Sequence, residues 1–404
     1  MSVNTLTFNQ VATFLNAIQN QVTGKSNLTP VDASSFATSA DITLKAGYEQ
    51  VYNAISTVLG RTIFSIRPYN RKFKGIELTD TEFKFRTRKL QIVDGNFEDN
   101  DTTKYPVHYD SGETVPTGNG ESVDQQVIKK AEFIETNFYG MNTYQDHYTI
   151  FDEQLDVAFS SPDELGRFIS MITMNVSNMF EQSREDFARY TLLNYAAALY
   201  TKGPTRAINL LAEYNTATGG SYTVETIYSP ANFPGFMKWA FARIRQICAE
   251  MTERSVKYQS TINGKWITRH TPYEDQRIYI YAPAQYQMEA SVLSSVFNDS
   301  YLKRAYTEEV VFWQNINSPA SVQINPMSTG ANGVPASAGA NVSIGNVFGV
   351  IFDRDACGYS VIRSTMKPAP YNARADYRNF FLKDYQKNFN DVSEKGVILY
   401  LANS

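Results

Sequence analysis

The apolar positions of this chain change rhythm several times, and each change marks a new element. Phe8, Val11, Phe14, Leu15 and Ile18 recur at helical spacing within residues 7–22. Leu44, Tyr48, Val51, Tyr52, Ile55 and Leu59 repeat that spacing over 43–59, which ends at Gly60. A Ser/Thr-rich polar stretch from Thr23 to about Asp41 separates the two. Two short helices on a loose leader predict an extended arm that needs a surface to lie on. From Thr81 to Ile92 the period drops to two, with Phe83 and Phe85 on one face and Lys84, Arg86 and Arg88 on the other, which predicts a strand.

The clearest helix opens at Ser161-Pro162-Asp163-Glu164, a capping box with Pro at the first helical position and two carboxylates at the positive dipole end. Leu165, Ile169, Ile172, Val176, Met179, Ser183, Phe187, Tyr190 and Asn194 follow at three- and four-residue steps, unbroken until Gly203-Pro204. At about 1.5 Å per residue, a helix over 162–201 is a rod of roughly 60 Å. Its polar face, with Arg184, Glu185, Asp186 and Arg189, excludes a membrane span. Beyond it the pattern is mixed: a helix over about 234–254, then R-I-Y-I-Y-A-P (277–283) as a strand running into a helix that ends near Phe297. Residues 315–346 carry no charge and predict a mobile loop. V-F-G-V-I-F-D-R-D-A-C-G-Y-S-V-I (347–362) reads as a β-hairpin turning at Asp353–Gly358, and 371–402 alternates strand-like runs. No internal repeat is present.

Charge sharpens one region. Residues 61–89 hold Arg61, Arg67, Arg71, Lys72, Lys74, Lys84, Arg86, Arg88 and Lys89 against only Glu77, Asp80 and Glu82. Residues 94–124 reverse the sign, with Asp94, Glu98, Asp99, Asp101, Asp110, Glu113, Glu121 and Asp124 against Lys104 alone. Two readings stand side by side: solvated faces, or complementary patches that meet across a subunit boundary and set its register. In the second, Arg71, Lys72, Lys84, Arg86, Arg88, Lys89, Asp94, Glu98, Asp99 and Asp101 are the candidate assembly contacts.

Over 404 residues, at about 150 per domain, two or three compact units or one large one are expected. Charged residues reach 19% against a typical value of about 25%, while aromatics reach 13%, led by 26 Tyr and 25 Phe. That composition excludes disorder and provides surface suited to burial against partners. A net charge of −4 argues against a dedicated nucleic-acid binder. Cys248 and Cys357, the only cysteines, form no disulfide framework. With no basic-plus-apolar leader and no apolar run of about 18 residues, a soluble intracellular product is expected.

The search for chemistry fails at each motif. His108, His147 and His270 are dispersed, and His147, near Asp146, Asp152 and Glu153, is the best metal candidate, although a solvated strand edge explains it better. Gly24-Lys25-Ser26 ends like a P-loop, but Gln19 stands where the first glycine belongs. Asp94, Asn96 and Glu98 begin like a calcium loop, then Asp99 replaces the turn glycine and Tyr105 the bidentate glutamate. Asp353 and Asp355 flank a turn, where Asp serves local hydrogen bonding. No catalytic residue, metal or cofactor is expected, and the chain reads as a non-enzyme.

The order of arm, basic β-hairpin loop, long helix, α/β region and closing β segment resembles the major capsid protein of tailed phages, the Hong Kong 97-type shell fold. Small short-tailed podophages of the picovirus type are the most similar. The resemblance is carried by S-P-D-E-L-G-R-F-I-S-M-I (161–172), the 347–362 run and Y-N-A-R-A-D-Y-R-N-F-F-L-K-D-Y-Q-K-N-F-N-D-V-S-E-K-G-V-I-L-Y-L (371–401). It implies an α+β fold with an N-terminal arm (1–60) lying on a neighbour and an extended β-hairpin loop (61–125). A peripheral domain (126–204 and 363–404, with spine helix 162–201) and an axial domain (205–362) complete it. It implies self-assembly into pentamers and hexamers of an icosahedral or prolate shell around double-stranded DNA, with a portal and either a separate scaffolding protein or none. The product would be a virion component assembled in the host cytoplasm, meeting DNA only diffusely and no membrane. The family's Lys–Asn cross-link is not carried over, because no spacing around Lys84 or Lys89 marks a pair. The rival readings are another phage structural protein, portal or tail, and a carbohydrate-binding protein that uses the scattered aromatics.

Overall fold

In a computed structural model of the chain, the structure describes residues 7–23, 30–45, 50–52, 54, 69, 71–78, 86–93, 132–139, 142–262, 264–293, 306–326 and 340–403. Its centre is a five-stranded mixed sheet in the order β4-β12-β9-β5-β6, built from Ala207–Asn209, Gly396–Tyr400, Val347–Asp353, Gln276–Tyr281 and Tyr306–Val310. Both faces are covered, and the period of two sorts the side chains between them. Ile398, Val350, Phe352 and Tyr279 face one core; Val397, Leu399, Ile351, Ile278 and Ile280 face the other. A strand buried on both faces reads as a continuous apolar run, which explains V-F-G-V-I-F.

The first core is closed by the long helix Pro162–Tyr200, here α4, through Phe187, Leu192, Tyr195, Ala196 and Leu199. The second is closed by Phe233–Thr252 (α7), which inserts Phe236, Met237, Ala240, Ile244, Ile247 and Met251. Helix α4 begins as its sequence predicts: Ser161 Oγ accepts from the Glu164 N–H at 3.3 Å, with Pro162 at the first helical position. Its N-terminal half, through Leu165 and Ile169, belongs to a third core shared with Ile150, Leu155 and Phe380. One rod therefore spans two separate cores. Strand β5 passes directly into α8 (Ala282–Leu293), as the pattern predicts.

The leader has a seat on its own subunit. Helices α1 (Phe8–Thr23) and α2 (Ala33–Lys45) bury Val11, Phe14, Leu15, Ile18 and Phe36 in that third core. Where a polar connection was expected from Thr23 to Asp41, α2 is helical. Asp32 caps it by accepting from the Ser35 N–H at 2.8 Å, and the Thr43 hydroxyl donates to the Ser39 carbonyl at 2.7 Å. With its hydroxyl proton bonded within the helix, Thr43 can share a buried face with Phe36 and Ala40. Of the helix expected over 43–59, residues 50–52 and 54 are helical, and Val51 and Tyr52 are buried.

The hairpin expected over 347–362 does not form. Both edges of β9 are occupied, by β12 and β5, so β10 (Cys357–Pro368) has no edge to join. It pairs instead with β11 (Tyr377–Asn390), whose far edge carries β3 (Asn142–Phe151), in a second, three-stranded sheet. The turn between β9 and β10 redirects the chain: Asp353 Oδ1 accepts from the Asp355 N–H at 2.8 Å, and the Ala356 carbonyl accepts from the Asp391 N–H at 2.7 Å. Strand β12 returns to the central sheet, beside β4, rather than staying with the three-stranded one. The uncharged 315–346 stretch is partly built into the core. Strands β7 (Val322–Ile324) and β8 (Val342–Ile344) pair and bury Val322 and Ile344, and Trp313 Nε1 donates to the Val347 carbonyl at 3.0 Å.

Candidate functional site

The basic segment singled out in the sequence becomes a two-stranded antiparallel ribbon, β1 (Arg86–Ile92) with β2 (Phe133–Tyr139). Its pleat has two chemically different faces. Gln91 and Ile134 are buried and Lys89 is half-buried against the body, while Leu90, Ile92 and Phe133 are 58%, 59% and 63% exposed. Ile92 and Phe133 are cross-strand partners, so this outward patch is continuous across the ribbon. Residues 94–131, between the strands, lie outside the described residues.

A charged cluster seats the ribbon. Lys89 Nζ lies 2.9 Å from Asp391 Oδ2, pairs with Glu394, and donates to the Asp355 carbonyl at 3.3 Å. Arg269 also pairs with Glu394 and donates to Gln91 Oε1 at 2.8 Å and to Ser393 Oγ at 3.2 Å. On the other strand's approach, Glu132 pairs with Lys265. Burial pushes the Glu394 carboxyl up despite Lys89 and Arg269. Burial acts the same way on Asp391, but Lys89 and the Ser393 hydrogen bonds overcome it and hold that carboxyl below its ordinary value. The turn 391–396 beneath is fixed by Arg206, 1% exposed, which donates to the carbonyls of Gly396, Glu394 and Val392, and by buried Lys395, which donates to the Glu253 carbonyl at 2.6 Å.

A second cluster ties residues 69–78 to the middle of α4. Arg71 pairs with Glu77 and Glu181 and donates to Tyr359 Oη at 3.1 Å. Glu181 and Asp384 both engage Arg184, at 3.3 and 3.1 Å. Glu185 accepts from the Tyr69 hydroxyl at 2.8 Å and the Lys72 N–H at 3.2 Å, and pairs with Arg189 at 2.8 Å. The Arg189 guanidinium lies 4.0 Å from the Phe312 ring centroid and 4.8 Å from that of Phe73. Burial raises the Glu185 carboxyl, but these donors prevail and hold it low.

The candidate contact residues therefore divide. Arg71 and Lys89 are engaged by carboxylates of their own subunit. The side chain of Lys72 is exposed. Arg86 and Arg88 lie in β1 opposite Tyr139 and Asn137, with side chains outside the described set. Lys84, Asp94, Glu98, Asp99 and Asp101 lie outside the described residues, as do Gly24-Lys25-Ser26 and the calcium-like run. Sequence reasoning missed Glu181, Asp384, Asp391 and Glu394, which hold the cations. Asp384 carried the available signal, as an acid inside the apolar alternation of β11.

No group of three or more His, Cys, Asp or Glu suited to a metal ion exists among the described residues. His147 is exposed on β3 beside Phe381, at a ring separation of 5.6 Å, and both Asp152 oxygens accept tyrosine hydroxyls. Burial raises the Cys248 thiol to about 12 and the Cys357 thiol beyond that, which removes thiolate nucleophilicity. A polar cleft lined by Arg269, His270, Asp275, Asp353, Asp355 and Glu394 contains carboxylates but no Phe, Tyr or Trp ring for a sugar to stack on.

Three comparisons bear on this geometry. A family model described as Phi29-like phage major capsid protein matches residues 103–394. The fold is similar to the solved "Capsid structure of Staphylococcus phage Andhra", with a TM-score of 0.54, 10% identity, and coverage of 85% of this chain and 87% of that one. It is similar also to a chain in "Structure of head fiber and inner core protein gp22 of native bacteriophage P68", with a TM-score of 0.51, 10% identity, and coverage of 84% and 87%. No curated protein matches the chain.

Proposed function

The chain belongs to the Phi29-like phage major capsid protein family, a self-associating component of the virion, and from that premise we propose that it forms the pentamers and hexamers of a closed icosahedral or prolate head around double-stranded DNA. The observation that carries the geometry is the ribbon: its inner face is fastened to its own subunit, and its outer face presents Leu90, Ile92 and Phe133 to whatever lies beyond. An isolated two-stranded ribbon is marginal in water, and an apolar outer face is a surface that assembly covers.

In this reading the three-stranded sheet, the N-terminal half of α4 and helices α1 and α2 form the peripheral part of the subunit. The five-stranded sheet, including β12, forms the axial part. The extended loop of 61–125 is the part that overlaps the adjacent subunit, with Lys84, Arg86 and Arg88 offered to the acids of 94–124 on a neighbour. The role is structural rather than enzymatic. A picovirus-type short-tailed phage, a portal, a separate scaffolding protein, diffuse DNA contact and assembly in the host cytoplasm complete the proposal.

The test is electron microscopy and sedimentation of the purified chain, alone and coexpressed with the phage's scaffolding protein. Rings of five or six, sheets or closed shells are the expected products. Monomers under both conditions would overturn the shell reading, and a single twelve-fold ring would favour the portal reading.

A further inference from the structure

The ribbon is attached to the body by a charged cluster at one end and by an aromatic contact, Phe138 against Phe389, at the other. Lys89 bridges two carboxylates of the 391–394 turn, while Arg269 bridges Glu394 to Gln91, the ribbon residue two positions further along the same face. The Asp391 and Glu394 side chains are only 6% and 7% exposed, so each needs its cation. The turn they stand on does not yield, because Arg206 holds its Val392 and Glu394 carbonyls from below and its own Lys395 donates to the Glu253 carbonyl. Directional hydrogen-bonded ion pairs fix an angle, whereas apolar packing alone tolerates sliding. Among the described ribbon residues Ile134 is the one buried apolar side chain, and half-buried Phe138 packs on Phe389 with ring centroids 5.3 Å apart.

We propose that Lys89, Asp391, Glu394 and Arg269 form an intrasubunit latch that sets the angle at which the ribbon leaves the body, and so positions the Leu90–Ile92–Phe133 face against a second copy of the chain. Lys89 is thus a positioning residue for assembly rather than an intersubunit contact. The inference rests on the ribbon's proposed intersubunit role, but its first readout belongs to the free subunit, so the two can fail separately.

The test uses the full chain with Lys89→Met, Lys89→Arg and, from the body side, Asp391→Asn. Hydrogen exchange is followed at 86–93 and 132–139, with α7 as the internal reference, and assembly products are imaged. Lys89→Met and Asp391→Asn are expected to speed ribbon exchange about tenfold or more while α7 stays at the parent rate. They are also expected to broaden the distribution of shell diameters, whereas Lys89→Arg retains both parent behaviours. Unchanged ribbon exchange in the Met and Asn variants would overturn the latch, as would faster exchange of α7 in both. Faster ribbon exchange with shells of uniform parent diameter would overturn the positioning role. Failure of the parent itself to form shells would count against the proposed function and leave the exchange result standing.

Discussion

Tyr52 and Asp152 meet across 100 residues of sequence: the Tyr52 hydroxyl donates to Asp152 Oδ1 at 2.6 Å, and Tyr371 donates to the other carboxylate oxygen at the same distance. Tyr52 is fully buried, between the rings of Tyr371 and Phe380 at centroid separations of 6.1 and 6.2 Å. The contact fastens the leader to the start of α3 (Asp152–Ala158). Tyr52→Phe keeps the ring and removes the donor, so a loss of about 1 kcal/mol is expected in chemical denaturation. Limited proteolysis should cut the leader faster in the variant, and equal cutting would refute the fastening role.

Arg206 should be the least replaceable side chain of the turn region. Its guanidinium is buried and donates to three backbone carbonyls and to Ser260 Oγ at 3.1 Å, while burial lowers its pKa. Arg206→Met leaves those carbonyls without donors and is expected to cost about 3–5 kcal/mol. Arg206→Lys is expected to recover only part of this, because one ammonium cannot span four divergent acceptors. Urea titration of both variants checks the order.

Gly396 of β12 sits directly against Tyr195 of α4. A Cβ there would collide with Tyr195 Oη and lie 3.2 Å from Tyr195 Cζ and 3.1 Å from Phe352 Cβ. Gly396→Ala is expected to cost about 1–3 kcal/mol through overpacking. Adding Tyr195→Phe removes the colliding oxygen, so the double variant should melt above Gly396→Ala alone. Additive losses would show that the strain lies elsewhere.

Asp353 gives stability a pH signature of known sign. Burial and the nearby Asp355 raise its carboxyl, although Thr271 and the Asp355 N–H counteract them. A carboxyl whose folded pKa is raised binds its proton more tightly folded than unfolded. Its unfavourable contribution is therefore full above the raised value and disappears as pH falls toward the ordinary 3.8. Asp353→Asn should melt above the parent at neutral pH, with the gap closing as the solution is acidified. Glu394, also raised, remains in both proteins and does not disturb the comparison. A gap that widens on acidification would contradict the assignment.

Phe133→Glu separates folding from assembly. Phe133 is 63% exposed, so the subunit's melting should shift by no more than about 0.5 kcal/mol in stability. Shell formation should nevertheless be lost or strongly reduced, as seen by sedimentation. Normal shells from this variant would remove the ribbon's outer face from the interface.

The long helix, its cap, α7 and the β5–α8 passage were legible because each rests on local chemistry: a period, a capping residue, a breaker. The β9–β10 hairpin misled because two adjacent apolar strands with Asp and Gly between them look the same whether they pair or part. Only the occupation of both β9 edges by β12 and β5 decides, and those partners lie far away in sequence. Lys89 failed similarly. A cation in a basic run looks solvated or intermolecular until Asp391 and Glu394 arrive from about 300 residues downstream. The outward apolar face of β1 was likewise masked, because Lys84, Arg86 and Arg88 dominate the pattern while Leu90 and Ile92 share their parity.

Strand β12 lies inside the central sheet, between β4 and β9, yet it is made after every other described strand. Arg206 waits through 190 residues of synthesis for the Gly396 carbonyl, roughly ten to forty seconds at common translation rates. Until then β4 has no neighbour and one edge of β9 stands open. A ribosome that stops early releases a polypeptide lacking the middle of its sheet, which leaves chaperones and proteases an open edge to recognise. Only a chain read through β12 can close the sheet and supply the 391–396 turn on which its ribbon is seated.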